Sequence, residues 1–161
     1  MQELLNKLTS YNIFNHLLPG IVFAVISSKF TTYDLVQSDI ITGVFLYYLM
    51  GLIISRIGAL IIEPLLRKIS FIKLVSYNDF IVAAKKDDKI EVISETNNMY
   101  RTFSSLFAVL LFLKAYEFAE NAIPFIKETR ATIAIVLLLA LFLASYKKQT
   151  NYIAKRVNND S

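Results

Sequence analysis

A 23-residue apolar run limits what this chain can fold into more than any other feature of its sequence. Between Ile40 and Ile62 the run carries one charge, that of Arg56. At about 1.5 Å of rise per residue, roughly 20 apolar residues cross the ~30 Å hydrocarbon core of a bilayer. The run therefore predicts a membrane-spanning helix. Its arginine costs at least about 2.5 kcal/mol in hydrocarbon unless it reaches headgroups, a partner or water.

The composition extends this interpretation to the whole chain. Hydrophobic residues make up 55% of the 161 positions, above the roughly 45–50% usual in soluble domains. Cysteine is absent and His16 is the single histidine, so the sequence offers no thiolate metal site and no cysteine nucleophile. It also lacks a glycine-rich phosphate loop, an HExxH motif and a credible catalytic triad. We therefore expect a protein that is not an enzyme and holds no metal or cofactor.

Three further apolar segments complete a predicted set of four spans. The first begins at Ile13 or Leu17 and ends near Phe30, the third covers Phe103 to about Ala119, and the fourth covers Ala131 to Tyr146. Short polar connections join the first span to the second and the third to the fourth. The sequence thus predicts an all-α membrane protein with four transmembrane helices.

The N-terminal segment has helical periodicity of its own. Leu4, Leu5 and Leu8 recur at helical spacing between polar residues, which predicts an amphipathic helix from Gln2 to about Asn15. Such a helix lies in the membrane interface, plugs a pore or continues into the first span. The three leucines are therefore candidate gating residues.

A polar segment, expected to lie in water, separates the second span from the third. Ser76 or Asn78 caps a short helix through Ala84, and a helical pattern resumes at Ile90 and continues into the third span. This predicts a small helical loop. The resulting division is an amphipathic helix (1–15), a first transmembrane hairpin (16–66), a cytoplasmic helical segment (67–102), a second transmembrane hairpin (103–146) and a cytoplasmic tail (147–161).

Lysine and arginine are distributed unevenly between the two sides of this topology. Twelve lie in the N-terminal segment, the central loop and the tail, and three lie in the two short connections: Lys29, Lys127 and Arg130. Because basic residues near spans are retained in the cytoplasm, both termini and the central loop are predicted to be cytoplasmic.

Charges and glycines within the second span suggest contacts with other helices. Arg56 either snorkels to the headgroups or faces a bundle interior or pore, where Glu63, seven residues on and on the same face, is a candidate partner. Gly51 and Gly58, one heptad apart, allow a neighbouring helix to approach closely. That neighbour can belong to the same subunit.

Two other polar positions carry competing interpretations. Lys114 and Glu117, near the outer end of the third span, form either a surface ion pair or part of a charged ring at an outer pore mouth. His16, beside Asn15, is either a capped interfacial residue or a protonation switch.

The cytoplasmic side is rich in cations interleaved with aromatic residues. Two interpretations compete. Lysines and arginines beside a membrane bind anionic lipid. Basic residues that alternate with aromatic residues also bind single-stranded nucleic acid, since the cations contact phosphates and the rings stack on bases. The candidate ligand-binding residues are Arg67, Lys68, Lys73, Lys85, Lys86, Lys89 and Arg101, and the tail adds Lys147, Lys148, Lys155 and Arg156.

Three stretches together, YNIFNHLLPGIVF, LYYLMGLIISRIGALIIEPLLRKI and SETNNMYRTFSSLF, resemble small four-span bacterial proteins of antiphage defence, in particular the membrane effectors of Hailong-type systems. The resemblance implies an oligomeric inner-membrane channel, closed until a short single-stranded DNA oligomer or nucleotide made by a partner nucleotidyltransferase changes its state. Opening would then depolarise the membrane. The amphipathic N-terminal helix would be the plug, and the basic cytoplasmic face the ligand groove.

Two functions stay open at this point. The first is the channel effector just described, a homo-oligomer gated from the cytoplasm. The alternative is a non-catalytic structural or assembly subunit of another inner-membrane complex, in which the charges only set the topology.

Overall fold

Helices form all the regular secondary structure of residues 13–159, which are the part of the chain that the computed structural model describes. The predicted amphipathic segment, with Leu4, Leu5 and Leu8, lies almost entirely outside these residues. The helices are α1 (Leu18–Phe30), α2 (Ile40–Ile57), α3 (Glu63–Lys68), α4 (Tyr77–Ala84), α5 (Lys89–Ala122) and α6 (Pro124–Asn159), with π-helical turns π1 (Ile13–Leu17) and π2 (Gly58–Ile62).

Three helical segments are long and apolar enough to cross a membrane: Ile40–Lys68, Lys89–Ala122 and Pro124–Val157. They correspond to the second, third and fourth predicted spans. The first predicted span is not among them. Helix α1 has 13 residues, which rise about 20 Å and fall short of a ~30 Å hydrocarbon core without the π1 turn.

Helices α5 and α6 are both longer than a membrane requires. As the sequence predicts, α5 runs without a break from the wet segment into the apolar stretch. Helix α6 continues past Lys148 to Asn159, through most of the segment predicted as a tail. The residues after Lys148 include neither glycine nor proline, so no helix breaker stops it earlier.

Each π-turn precedes a proline by two residues, at Pro19 and at Pro64. Proline lacks an N–H and its ring clashes with the carbonyl four residues earlier. Those carbonyls belong to Asn15 and Leu60, at the centre of each π-turn. A wider turn relieves the clash, as shown by the Glu63 N–H, which donates to the Gly58 carbonyl five residues back.

Local capping explains the short helix α4 and the end of α3. Ser76 is the N-cap of α4 and accepts a hydrogen bond from the Asp79 N–H (3.1 Å), which confirms one of the two predicted caps. Helix α3 ends where Ser70 adopts φ 59° and the Phe71 N–H donates to Leu66 O (2.9 Å). This is a Schellman-type stop with serine at the position that glycine favours.

The chain divides into two compact units, Met1–Lys114 and Ala115–Ser161. In the described part of the first unit, the core joins α1, α2 and α5 through Phe23, Ile54, Leu106 and Leu110. In the second unit, the end of α5 turns at Ile123 into α6. None of the most apolar 18-residue window of α6 is buried within the chain.

Candidate functional site

The segments before and after the first polar connection cross in close contact. A Cβ atom on Gly51 of α2 would overlap the His16 carbonyl of π1 and lie 2.9 Å from His16 Cα. A Cβ on Gly20 of α1 would overlap the Tyr47 carbonyl and lie 3.1 Å from Gly51 N. Only glycine fits at both positions. The predicted close approach at Gly51 is therefore confirmed, within one chain.

Polar side chains are buried at this crossing. Asn15 and His16 of π1 are buried, and the His16 ring meets the Tyr48 ring edge-on at 5.4 Å between centroids. His16 Nδ1 has no hydrogen-bond partner among residues 13–159. Burial of a polar atom without a partner costs free energy, because its hydrogen bond to water is not replaced. The π1 turn is therefore a polar site within an apolar bundle.

A second close contact joins α2 and π2 to α5. The Ser105 hydroxyl donates to the Ile54 carbonyl at 2.9 Å, and both residues are buried. A Cβ on Gly58 would lie 3.3 Å from the Arg101 carbonyl oxygen and 3.3 Å from Ser105 Cβ. Gly51 and Gly58, one heptad apart in sequence, thus face two different neighbours.

An ion pair that the sequence analysis did not predict links two of the candidate spans near their ends. Arg101 Nη1 lies 2.7 Å from Glu63 Oε2, which joins α5 to α3. The side chains keep 23% and 14% of their surface exposed. A half-buried pair of this length is a charge-assisted hydrogen bond and is stronger than a fully exposed surface pair.

This pairing differs from the expected contact between Arg56 and Glu63. Seven residues apart, the two share a face on a regular α-helix, but π2 lies between them. The extra residue that π2 accommodates shifts Glu63 by about 100° around the helix axis relative to Arg56. Arg56 is half-buried.

The Lys114 side chain lies against an aromatic ring of its own unit. Its Nζ is 5.7 Å from the centroid of the Phe30 ring, within the range of a cation–π interaction. Glu117, its expected partner, is buried in the second unit, as is Glu120, which hydrogen-bonds to the Tyr116 hydroxyl.

The structure places the predicted ligand-binding cations in two kinds of environment. Arg101 is half-buried and paired with Glu63. The other six are exposed: Arg67, Lys68, Lys73, Lys85, Lys86 and Lys89. The exposed cations at the end of α3 and around α4 can bind a polyanion or lipid headgroups without a change in the fold, because their charged groups already face solvent.

A basic groove lies on the C-terminal part of α6. It has a volume of about 360 Å³ and is open to solvent, because every residue that lines it belongs to α6 itself. Lys148 Nζ lies 6.0 Å from the centroid of the Tyr152 ring. The groove is lined by Ala144, Lys147, Lys148, Asn151, Tyr152 and Lys155.

Sequence reasoning did not single out Ser105, Thr102 or Gly20. Asn98, Thr102 and Ser105 follow one another by four and three residues, which is the spacing of one helical face. That polar stripe within an apolar helix was the signal available for the contact with α2.

Comparison of the chain with protein-family models, with curated proteins and with solved structures finds no match.

Proposed function

We propose that this chain is the subunit of an oligomeric channel in the bacterial inner membrane, an effector of antiphage defence. In this proposal four helices span the membrane and both termini are cytoplasmic. The channel is closed at rest and opens when a cytoplasmic signal, a short single-stranded DNA oligomer or a nucleotide made by a partner nucleotidyltransferase, changes its state. The resemblance of three stretches to Hailong-type effectors supports the choice of signal.

The observation that carries the proposal is Arg56. It lies in the most apolar of the three candidate spans, is half-buried, and has no carboxylate partner in the part of the chain that the structure describes. Charged residues within spans face a bundle interior or a water-filled cavity. A channel that lines its conduit with Arg56 satisfies this requirement.

Oligomerisation follows from the size of the subunit. A few spanning helices are too little to enclose a conduit alone, so the pore must form around an axis shared by several copies. The unburied apolar window of α6 supplies surface for contacts between copies. The same surface also favours the second candidate, a structural subunit whose α6 packs against a different membrane protein.

Ion flux across liposomes tests the proposal. We expect flux from the full-length protein when short single-stranded DNA is added, and flux without DNA when residues 2–15 are deleted. Arg56→Gln should change the flux, whereas Lys127→Gln, which removes an exposed charge from the first turn of α6, should not. Tight liposomes in every condition, with the protein shown to be inserted and oligomeric, would contradict the channel and favour the assembly subunit.

Binding of the signal has its own test. Replacing Lys85, Lys86 and Lys89 by glutamate should weaken DNA binding, and the loss should shrink as salt rises, because screened phosphate contacts contribute less. Unchanged affinity would move the ligand site away from this loop, with the α6 groove as the next position to test.

A further inference from the structure

The Glu63–Arg101 pair occupies a position from which it can control how two helices are joined. Glu63 begins α3, directly after π2, and Arg101 lies on α5, 38 residues later in the chain. Between them runs the loop that carries α4 and the exposed cations. The pair therefore connects the segments on both sides of that loop.

Arg101 has unused capacity for an anion. Its guanidinium has five N–H donors, and Nη1 donates to Glu63 Oε2. Its Nε is buried and has no hydrogen-bond partner among residues 13–159. A guanidinium presents two donors side by side to a phosphate, a geometry that one carboxylate oxygen does not fill.

The surroundings of the pair favour a polyanion. Arg67 follows Glu63 by four residues and so lies on the same face of α3, with Lys68 next to it. Both are exposed. A phosphate-bearing ligand at this end of α3 therefore meets two exposed cations near the half-buried Glu63, which holds Arg101.

We propose that Glu63 is a built-in competitor for Arg101: it holds the guanidinium until a phosphate group displaces it, and this displacement uncouples α3 from α5. This inference rests on the proposed gating from the cytoplasm and names its regulated contact. The phosphate belongs to a soluble polyanion or to a lipid headgroup, since both offer the same chemistry to Arg101.

Binding of a fluorescent single-stranded DNA of about 12 nucleotides, a length within the site sizes of single-strand binders, tests the competition. The full-length protein is held in phosphatidylcholine nanodiscs and anisotropy is measured. Glu63→Gln should tighten binding about tenfold, within the usual range of coupling between sites. Glu91→Gln removes the same charge from an exposed position on α5 and should change affinity much less.

Two further variants separate the ligand contact from the fold. Arg101→Lys keeps the charge but loses the two-donor edge, so it should weaken binding. The exchange Glu63→Arg with Arg101→Glu restores an ion pair across the same gap. The exchanged variant should remain folded by size exclusion but should bind DNA more weakly than the wild type. If that exchanged variant binds as tightly as the wild type, Arg101 is not the phosphate contact.

A lipid source is distinguished by repeating the series without DNA. If a headgroup displaces Glu63, adding phosphatidylglycerol to the nanodiscs should raise the heat resistance of Glu63→Gln above that of Glu91→Gln. Equal behaviour of these two variants in both assays would overturn the competition. The liposome flux of the residues 2–15 deletion is independent of Glu63, so the channel proposal stands or fails separately.

Discussion

Replacing Gly51 by alanine should strongly destabilise the described bundle. The new Cβ would lie 2.5 Å from the His16 carbonyl carbon and 2.9 Å from His16 Cα. Carbon atoms in good contact are about 3.5–4.0 Å apart, and the His16 carbonyl oxygen is closer still to the new Cβ, so π1 and α2 must separate by more than about 1 Å. Overpacking of this kind costs about 1–3 kcal/mol, against which alanine regains up to about 1 kcal/mol of helix propensity.

We expect a net loss of about 2 kcal/mol, since both contact atoms are backbone and cannot rotate away. For a chain of this size, that lowers the melting temperature by about 4–8 °C. A fluorescent fusion heated in mild detergent and then passed over a size-exclusion column gives the temperature at which half the protein is lost. Gly20→Ala should cost a similar amount. The double variant should cost less than the sum of the two, because one separation of the two segments makes room for both methyl groups.

Gly43→Ala is the matched control. Its Cβ would lie 3.2 Å from Cε2 of the Tyr47 side chain, an atom on a ring that can move. The expected change in melting temperature is therefore close to zero. If Gly51→Ala and Gly43→Ala melt together, π1 and α2 do not cross as closely as described.

Three other changes have defined outcomes. Ser105→Ala removes the hydrogen bond to the Ile54 carbonyl and should cost about 0.6 kcal/mol, the average for such bonds between membrane helices, seen as a small drop in melting temperature. Ser70→Gly should raise the melting temperature, because glycine adopts the positive φ of this position without strain, and an unchanged or lower value would argue against this helix stop. Hydrogen bonds from Thr42 lower the pKa of Asp39. The stability that this carboxylate contributes is therefore present above the usual carboxyl pKa and is lost as the pH falls through the lowered pKa. Asp39→Asn still caps the helix but does not titrate, so this variant should lose less stability in acid than the wild type.

Local patterns predicted those parts of the fold that depend on neighbouring residues alone. The run from Ile40 to Ile62 is helical because its apolar length leaves no other solution in a membrane. Ser76 caps α4 because its hydroxyl reaches the N–H three residues on. The continuity of α5 into the apolar stretch followed from an uninterrupted helical period.

The contacts that depend on distant parts of the chain were not accessible in the same way. That Glu63 pairs with Arg101 requires knowing how α3 lies against α5, which no local pattern contains. The π-turns arise from the conflict between a proline ring and a backbone carbonyl, and they alter the face on which every later residue lies. The partners of Gly51 and Gly58 were likewise undetermined, although their role in close contact was predicted.

The π-turn at Gly58–Ile62 gives this helix an unusual tolerance to a change in length. Because the turn accommodates one residue more than an α-helix needs, deleting one of these five residues would leave a regular helix rather than a broken one, once Pro64 is also replaced. Everything after the deletion would then keep its position around the helix axis, because the deletion removes the residue that the wide turn absorbs, and Glu63 would stay beside Arg101. The turn therefore allows the chain to change length at this position without changing the direction that α3 takes.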